Sequence, residues 1–122
     1  MTISVVRLGS ARGKDEGPRL GTVRRPPRGV KKRDYARLDY YDVWLPELAP
    51  SARLIKTALK DWKRFAKRYR QEMREREHLL EVLARLSRDS NFAVGCYCED
   101  EKRCHRSILR QLFVEHGARI AV

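Results

Sequence analysis

Short apolar runs alternate along the chain with segments of helical periodicity. Five runs are rich in β-branched or aromatic residues and predict strands, at 3–8, 19–24, 40–45, 92–97 and 119–122. The second run ends before Pro26 and Pro27, which cannot donate hydrogen bonds to a sheet. These runs predict a small sheet whose strands come from separated parts of the chain.

Apolar residues between the third and fourth runs recur at helical spacing. One face at i, i+3, i+4, i+7 and i+11 is formed by Trp62, Phe65, Ala66, Tyr69 and Met73. A second apolar set, 79–86, follows the polar stretch 74–78, so we expect two helices, with one long bent helix as the alternative. Ser51 is a good N-cap for a helix over 52–60. Gly117 is the expected C-cap of a helix over about 104–116.

Strands separated by helices predict an α/β fold. We expect a single three-layer domain with a small, mostly parallel sheet flanked by helices on both faces. A chain of 122 residues can bury one core of this kind but not two. The predicted domain spans 3–121 and carries a basic loop at about 24–34.

The formal net charge of +12 is concentrated near the N-terminus, because residues 1–38 hold 11 Lys or Arg and only 3 acidic residues. This excess favours an anionic partner, such as a phosphate-bearing small molecule, a nucleic acid or an acidic protein, and the alternative is a solvated basic surface with no dedicated anion site. No apolar run approaches the roughly 20 residues that cross a bilayer, so no membrane partner is expected. The N-terminus lacks a signal peptide and the three cysteines are clustered, which together predict a cytoplasmic protein.

Candidate chemistry is concentrated in the segment 96–106, which we call the cysteine turn and which lies between the fourth predicted strand and the last predicted helix. Alternation along the strand places Cys96 and Cys98 on one face and Tyr97 on the other. Cys98 then lies at the carboxyl edge of the sheet, and the free amides at Cys104 and the next two residues point back toward it. We therefore expect the functional site at this strand-to-helix turn.

The first hypothesis for this turn is an anion site for a phosphate group, as in a nucleotide or nucleic acid. Arg106 would hold the anion with its guanidinium fork, and the amides near Cys104 and His105 would complete the cradle. Arg25 and Arg28 emerge from a predicted strand end and would complete the pocket if their loop lies at the same edge.

The second hypothesis is a thiol-dependent enzyme with Cys98 or Cys104 as the catalytic residue. A helix N-terminus lowers the pKa of a nearby thiol and makes it more nucleophilic. The Cys-x5-Arg loop of tyrosine phosphatases is absent, since Cys104 stands six residues after Cys98 and Lys102 six after Cys96. His105 is expected to contact the helix N-terminus rather than act as a base.

Two further hypotheses involve no nucleophile. No cofactor is predicted, but Cys96, Cys98, Cys104 and His105 form an alternative donor set that suits tetrahedral zinc. Against zinc, adjacent Cys and His ligands are unusual and no second Cys-x2-Cys pair occurs. The remaining alternative is a small interaction domain with a structural turn, in which Cys96 packs as a small hydrophobe and Glu99 pairs with Arg106.

Several motifs together resemble the DUF488 family and, more distantly, YeaO-like proteins. They are Tyr41-Asp-Val-Trp-Leu-Pro-Glu-Leu-Ala-Pro-Ser51, Trp62-x-x-Phe65, Arg68-Tyr69-x-x-Glu72-Met73, Cys96-Tyr-Cys-Glu-Asp-Glu101, Cys104-His-Arg106 and the basic Pro-Arg-Gly element within 24–29. The resemblance covers about 3–121 and implies a small three-layer α/β domain without naming a reaction. The branch that resembles YeaO-like proteins lacks the cysteine turn, so the resemblance does not imply thiol chemistry across the family.

Overall fold

A computed structural model describes residues 1–58 and 60–121. Within these residues the chain forms four strands, β1 (Ile3–Arg7), β2 (Arg19–Gly21), β3 (Val43–Trp44) and β4 (Phe92–Cys96). Its α-helices are α1 (Ala52–Ile55), α2 (Trp62–Arg74), α3 (Glu77–Leu86) and α4 (His105–Glu115). Short 3₁₀ helices occur at Lys32–Asp34, Pro46–Leu48 and Glu101–Arg103. None of these helices is long and apolar enough to span a bilayer.

The strands form one parallel sheet in the order β1-β4-β2-β3. β4 lies between β1 and β2, with Val94 opposite both Val5 and Leu20. All five residues of β4 are buried, as expected for a central parallel strand. The sheet and its helices confirm the predicted α/β class.

One face of the sheet packs against the α-helices. Ile3, Phe92 and Val94 belong to the main buried cluster, and Val5 and Leu20 pack against it. The helices contribute Leu54, Phe65, Tyr69, Met73, Leu80, Leu83, Ile108, Leu109, Leu112 and Phe113. The periodicity of the sequence thus identified the buried face of α2, where Phe65, Tyr69 and Met73 are all buried.

The opposite face of the sheet is covered by aromatic side chains from the segment after β2. Gly21 and Gly95 are paired in register, and the Tyr41 ring lies 2.4 Å from where a β-carbon of Gly21 would be. Tyr35, which follows the 3₁₀ helix Lys32–Asp34, packs edge-to-face on Tyr41 with ring centroids 5.2 Å apart. The helical part of this third layer is therefore a single 3₁₀ turn, and Gly21 makes room for the Tyr41 ring.

The loop before β2 is built around Arg19, whose side chain is completely buried. Its guanidinium donates to the Glu16 carboxylate at 2.7 and 3.2 Å. It also donates to the carbonyl oxygens of Ser10, Ala11 and Asp39 at 2.8, 3.2 and 2.6 Å. One buried cation therefore ties both segments that flank β2 to the sheet.

Several elements are shorter than the sequence pattern predicts. The predicted strand 40–45 is reduced to Val43–Trp44, because the preceding tyrosine ring turns over the sheet face. The predicted helix 52–60 ends at Ile55, where the Thr57 hydroxyl bonds the Leu54 carbonyl. The predicted last strand is a single bridge between Ile120 and Ile3. Two predicted positions, 59 and 122, lie outside the described residues.

The expected break between two helices is confirmed, since α2 ends at Arg74 and α3 begins at Glu77. Gly117, with φ of +82°, follows the end of α4 at the predicted position. The start of α4 is also as predicted, with Cys104 as its N-cap. These boundaries fix where the cysteine turn lies relative to the sheet.

Gly95→Ala should destabilise the protein, because a β-carbon there would lie 2.6 Å from the Val6 carbonyl oxygen of the paired strand. Backbone in the middle of a sheet has little freedom to move, so we expect a loss of about 1–3 kcal/mol in urea unfolding. Gly13→Ala is the control, since its nearest neighbour, a Glu16 carboxylate oxygen, is 3.8 Å away. Equal unfolding midpoints for both variants would contradict this packing.

Candidate functional site

The three thiols lie where β4 ends and α4 begins. Cys96 is the last residue of β4, and Cys104 is the N-cap of α4. The chain between them turns through the 3₁₀ helix Glu101–Arg103, whose first turn is capped when the Asp100 carboxylate accepts from Lys102 N–H at 3.0 Å. This turn returns Cys104 to the end of the strand, so all three sulfur atoms face one region.

A pocket of about 410 Å³ opens at this turn. Three walls differ in chemistry. The apolar wall is formed by Val23, Pro50, Ala52, Ile55, Ala58 and Phe65. The cationic rim is formed by Arg24, Arg25, Lys56 and Arg103. The third wall is the turn itself, with Cys96 to Cys98, Cys104 and His105. A cavity of this lining suits a small molecule with an apolar body and a negative charge.

The three cysteines are free thiols that differ in exposure. Cys96 and Cys104 are each only 2% exposed, whereas Cys98 is exposed. Cys98 is therefore the sulfur that a molecule in the pocket can reach. The two buried cysteines line the same pocket.

The contacts among the thiols concentrate negative charge on Cys98. The neighbouring Cys104 and Cys96 thiols, together with the nearby His105 and Arg106, lower the pKa of Cys98 below its ordinary value. The same contacts and burial raise the pKa of Cys96 well above its ordinary value. Within the cluster, the exposed thiol is thus the one whose pKa is lowered.

Arg106 is the charged partner behind the cluster. Its side chain is 3% exposed and donates through Nη2 to the Cys98 carbonyl oxygen at 2.5 Å. Its buried Nε has no hydrogen-bond partner, and the ion pairs within residues 1–58 and 60–121 do not include Arg106. Burial lowers its pKa, but the thiol charges raise it more, so the guanidinium stays charged. A buried cation without a carboxylate needs another negative charge, and the thiol cluster is adjacent.

His105 is fixed as a neutral imidazole beside the Cys104 sulfur. Its Nε2 donates to the Thr22 carbonyl at 2.7 Å, so Nδ1 is the unprotonated nitrogen. Nδ1 lies 3.7 Å from the Cys104 sulfur. Burial lowers the pKa of His105 to about 4, and the Tyr69 ring packs on its edge at 5.5 Å. The imidazole therefore presents an acceptor to the thiols.

The thiol cluster is also compatible with a metal ion. The donor atoms of Cys96, Cys104 and His105 all lie within 4.8 Å of one another. The bond from His105 Nε2 to a carbonyl is the kind that orients metal-binding imidazoles. The chemistry of these donors fits Zn²⁺, which prefers thiolate and imidazole ligands.

A family model described as DUF488-N3a, the Active DUF488-N3 subclade, matches residues 3–117. The chain belongs to the DUF488 family. Searches of the curated proteins and of the solved structures found no match. The matched range in this DUF488 chain includes the four strands, the described α-helices and the whole cysteine turn.

The predicted anion-site residues of the DUF488 chain do not share one cavity. Cys104, His105 and Arg25 line the thiol pocket, whereas Arg28 lines a second pocket. Arg106 lines neither and lies behind the thiols. Arg25 also lines that second pocket, so the structure keeps Arg25 and Arg28 together and separates Arg106 from both.

The predicted pair between Glu99 and Arg106 is wrong. Glu99 lies 3.4 Å from Arg7, in an exposed pair. Arg106 instead turns inward to the Cys98 carbonyl. Spacing alone could not show this, because the direction of the Arg106 side chain depends on burial in the folded turn.

Sequence reasoning missed Thr22, Lys56 and Arg103 in the DUF488 site. Thr22 fixes the His105 tautomer across 83 positions of chain, and Lys56 comes from the segment after α1. Neither position carries a local signal, because both reach the site only through the strand order and helix packing. Arg103 lies inside the cysteine turn, and that position alone could have indicated that it lines the site.

Alkylation by iodoacetamide should show the lowered pKa of Cys98. Since the pKa of Cys98 is lowered, its alkylation rate should rise much less between pH 5 and 8 than that of an ordinary thiol. An ordinary thiol of pKa near 8.5 would accelerate roughly 700-fold. Peptide mapping assigns the site, and Cys98→Ser is the control that removes the fast phase. A rate that follows an ordinary thiol titration would contradict the arrangement.

Proposed function

We propose that this DUF488 protein is a thiol-dependent enzyme in which Cys98 attacks an electrophilic centre of a small anionic substrate. The observation that carries the proposal is the buried Arg106 guanidinium, which pairs with no carboxylate among the described residues and donates to the backbone of the exposed Cys98. The description of the matching family model, which names an active subclade, supports an enzyme.

Arg106 acts on the substrate only through Cys98. Its guanidinium is shut away from both pockets, so it stabilises the thiolate rather than the substrate. Keeping a nucleophile ionised before substrate arrives is a recognised way to activate cysteine. Arg106 is therefore a positioning residue, and the anion that the turn stabilises is the thiolate of Cys98.

The attack balances without an oxidant or a metal. A lone pair of the Cys98 sulfur forms a bond to the electrophilic atom while the bond to the leaving group breaks, and the leaving group takes that electron pair. The nearest proton donor is the Cys104 thiol, with His105 Nδ1 beside it at 3.7 Å. Water or a second acceptor then attacks the covalent centre, gives its proton back to Cys104 and releases the Cys98 thiolate, which makes the reaction a hydrolysis or a group transfer.

The pocket supplies binding for the substrate. Its apolar wall removes water from the reacting atoms, and Arg25, Lys56 and Arg103 place positive charge at the rim. These contacts select a substrate with an apolar body next to a negative group. Electrostatic attraction of such a substrate is consistent with the net charge of +12.

Arg106→Met should slow acylation of Cys98 by p-nitrophenyl acetate at least about tenfold at pH 6, because its thiolate would lose its buried counter-charge. At pH 9 the two rates should converge, since the thiol of the variant then ionises by itself. Intact-mass analysis and peptide mapping locate the acyl group, and released p-nitrophenolate gives the rate. A second variant, Arg106→Lys, should retain most of the rate at pH 6.

The matched control is Arg103→Met, which removes a cation from the rim but leaves the counter-charge of Cys98 in place. Its acylation rate should keep the pH profile of the native protein. Acylation spread over all three cysteines, or an Arg106→Met profile identical to that of Arg103→Met, would refute the proposal. Circular dichroism of each variant excludes loss of the fold as the cause.

Zinc binding is the second candidate, favoured by the three donor atoms that lie within 4.8 Å. Cys96, Cys104 and His105 would hold the ion with Cys98 as the fourth ligand, and the charge of Arg106 would balance the thiolates. Zinc added at one equivalent would then resist a metallochromic chelator and block alkylation of Cys98. That result would replace the nucleophile by a metal centre.

A further inference from the structure

A second pocket, of about 630 Å³, lies beside the thiol pocket and shares Arg25 and Tyr97 with it. Its lining is Arg7, Leu8, Arg25, Pro26, Pro27, Arg28, Tyr40 and Tyr97. We propose that this second pocket binds the phosphate group of a small phosphorylated molecule through Arg25 and Arg28. This proposal does not rest on the chemistry of Cys98.

The charges around the second pocket are arranged for an anion. Of the described residues that line it, three are arginines and none is a carboxylate. Arg25 and Arg28 are exposed and take no part in the ion pairs of the described ranges 1–58 and 60–121. Guanidinium forks match phosphate oxygens in pairs, which makes arginine the preferred side chain for this ligand.

Arg7 has a partner that a phosphate would have to replace. Its Nη2 lies 3.4 Å from a carboxylate oxygen of Glu99, and these side chains are 50% and 83% exposed. An exposed pair of this length contributes little to stability. A dianionic phosphate near Arg7 would therefore displace Glu99 at small cost.

The loop that carries Arg25 and Arg28 is held in place before any ligand binds. Pro26 and Pro27 separate the two arginines and restrict the backbone, and Pro27 is buried. The Tyr97 hydroxyl donates to the Arg25 carbonyl at 2.9 Å. Because the loop is already anchored, binding costs less conformational entropy than it would on a free basic tail.

The second pocket fits a small molecule better than a nucleic-acid strand. Its volume lies within the usual range for small ligands, and Tyr40 and Tyr97 pack edge-to-face at 6.3 Å within its lining. Lys31, Lys32 and Arg33 belong to the same basic segment but do not line it. A strand would be expected to use those side chains as well, since nucleic-acid affinity sums over many phosphate contacts.

The test is calorimetric titration of the full-length chain with inorganic pyrophosphate and with 5′-AMP at low salt. Arg28→Gln should weaken binding of both probes by about tenfold or more, because a charged hydrogen bond to phosphate is lost. Lys31→Gln, which removes the same charge outside the pocket, should change the affinity by less than about twofold. Cys98→Ser should bind as tightly as the native chain. Tighter binding of 5′-AMP than of pyrophosphate would identify a nucleotide, and equal binding would identify phosphate alone as the recognised group.

Three results would overturn the proposal. The first is the absence of binding at millimolar concentrations of either probe. The second is equal weakening by Arg28→Gln and Lys31→Gln, which would show general electrostatic attraction to the basic segment and no specific phosphate site. The third is a short single-stranded oligonucleotide that binds far more tightly than 5′-AMP and loses as much affinity with Lys31→Gln as with Arg28→Gln, because the ligand would then be a polynucleotide.

Discussion

The buried ion pair between Arg19 and Glu16 is the interaction on which the least regular part of the molecule depends. The sheet has only three residues in β2 and two in β3, so these strands cannot be held by ladder hydrogen bonds alone. Arg19 compensates with bonds to the carbonyls of Ser10, Ala11 and Asp39. The tyrosines that cover the sheet and line the second pocket follow directly from that anchored segment.

Arg106 is a second buried guanidinium, and it too needs a nearby negative charge, but its neighbours are thiols instead of a carboxylate. Arg19 meets a carboxylate, which is already ionised at neutral pH and chemically inert. Arg106 meets thiols, so neutralising its charge requires one of them to lose a proton. The same need for charge balance that stabilises the fold in one place is, in the proposed function, what keeps Cys98 ionised in the other.

Local pattern predicted much of this molecule and failed at identifiable points. The buried face of α2, the break before α3 and the strand-to-helix turn all follow from spacing and capping residues, which act within a few positions of chain. The contact of Thr22 with His105 depends on β2 lying beside β4, and strand order is not written in either segment. The inward turn of Arg106 likewise depends on what the turn buries. Long-range packing therefore decided the parts of the site that the sequence left open.

Arg25 and Tyr97 each belong to two cavities, and they are joined by a hydrogen bond from the tyrosine hydroxyl to the arginine backbone. A ligand that shifts this shared partition changes the shape of both spaces at once. Thermodynamic linkage makes such an effect reciprocal. If a ligand in one cavity changes the affinity of the other cavity by some factor, a ligand in the second changes the affinity of the first by the same factor. Arg25 and Tyr97 are therefore the residues through which any such coupling between the two cavities would act.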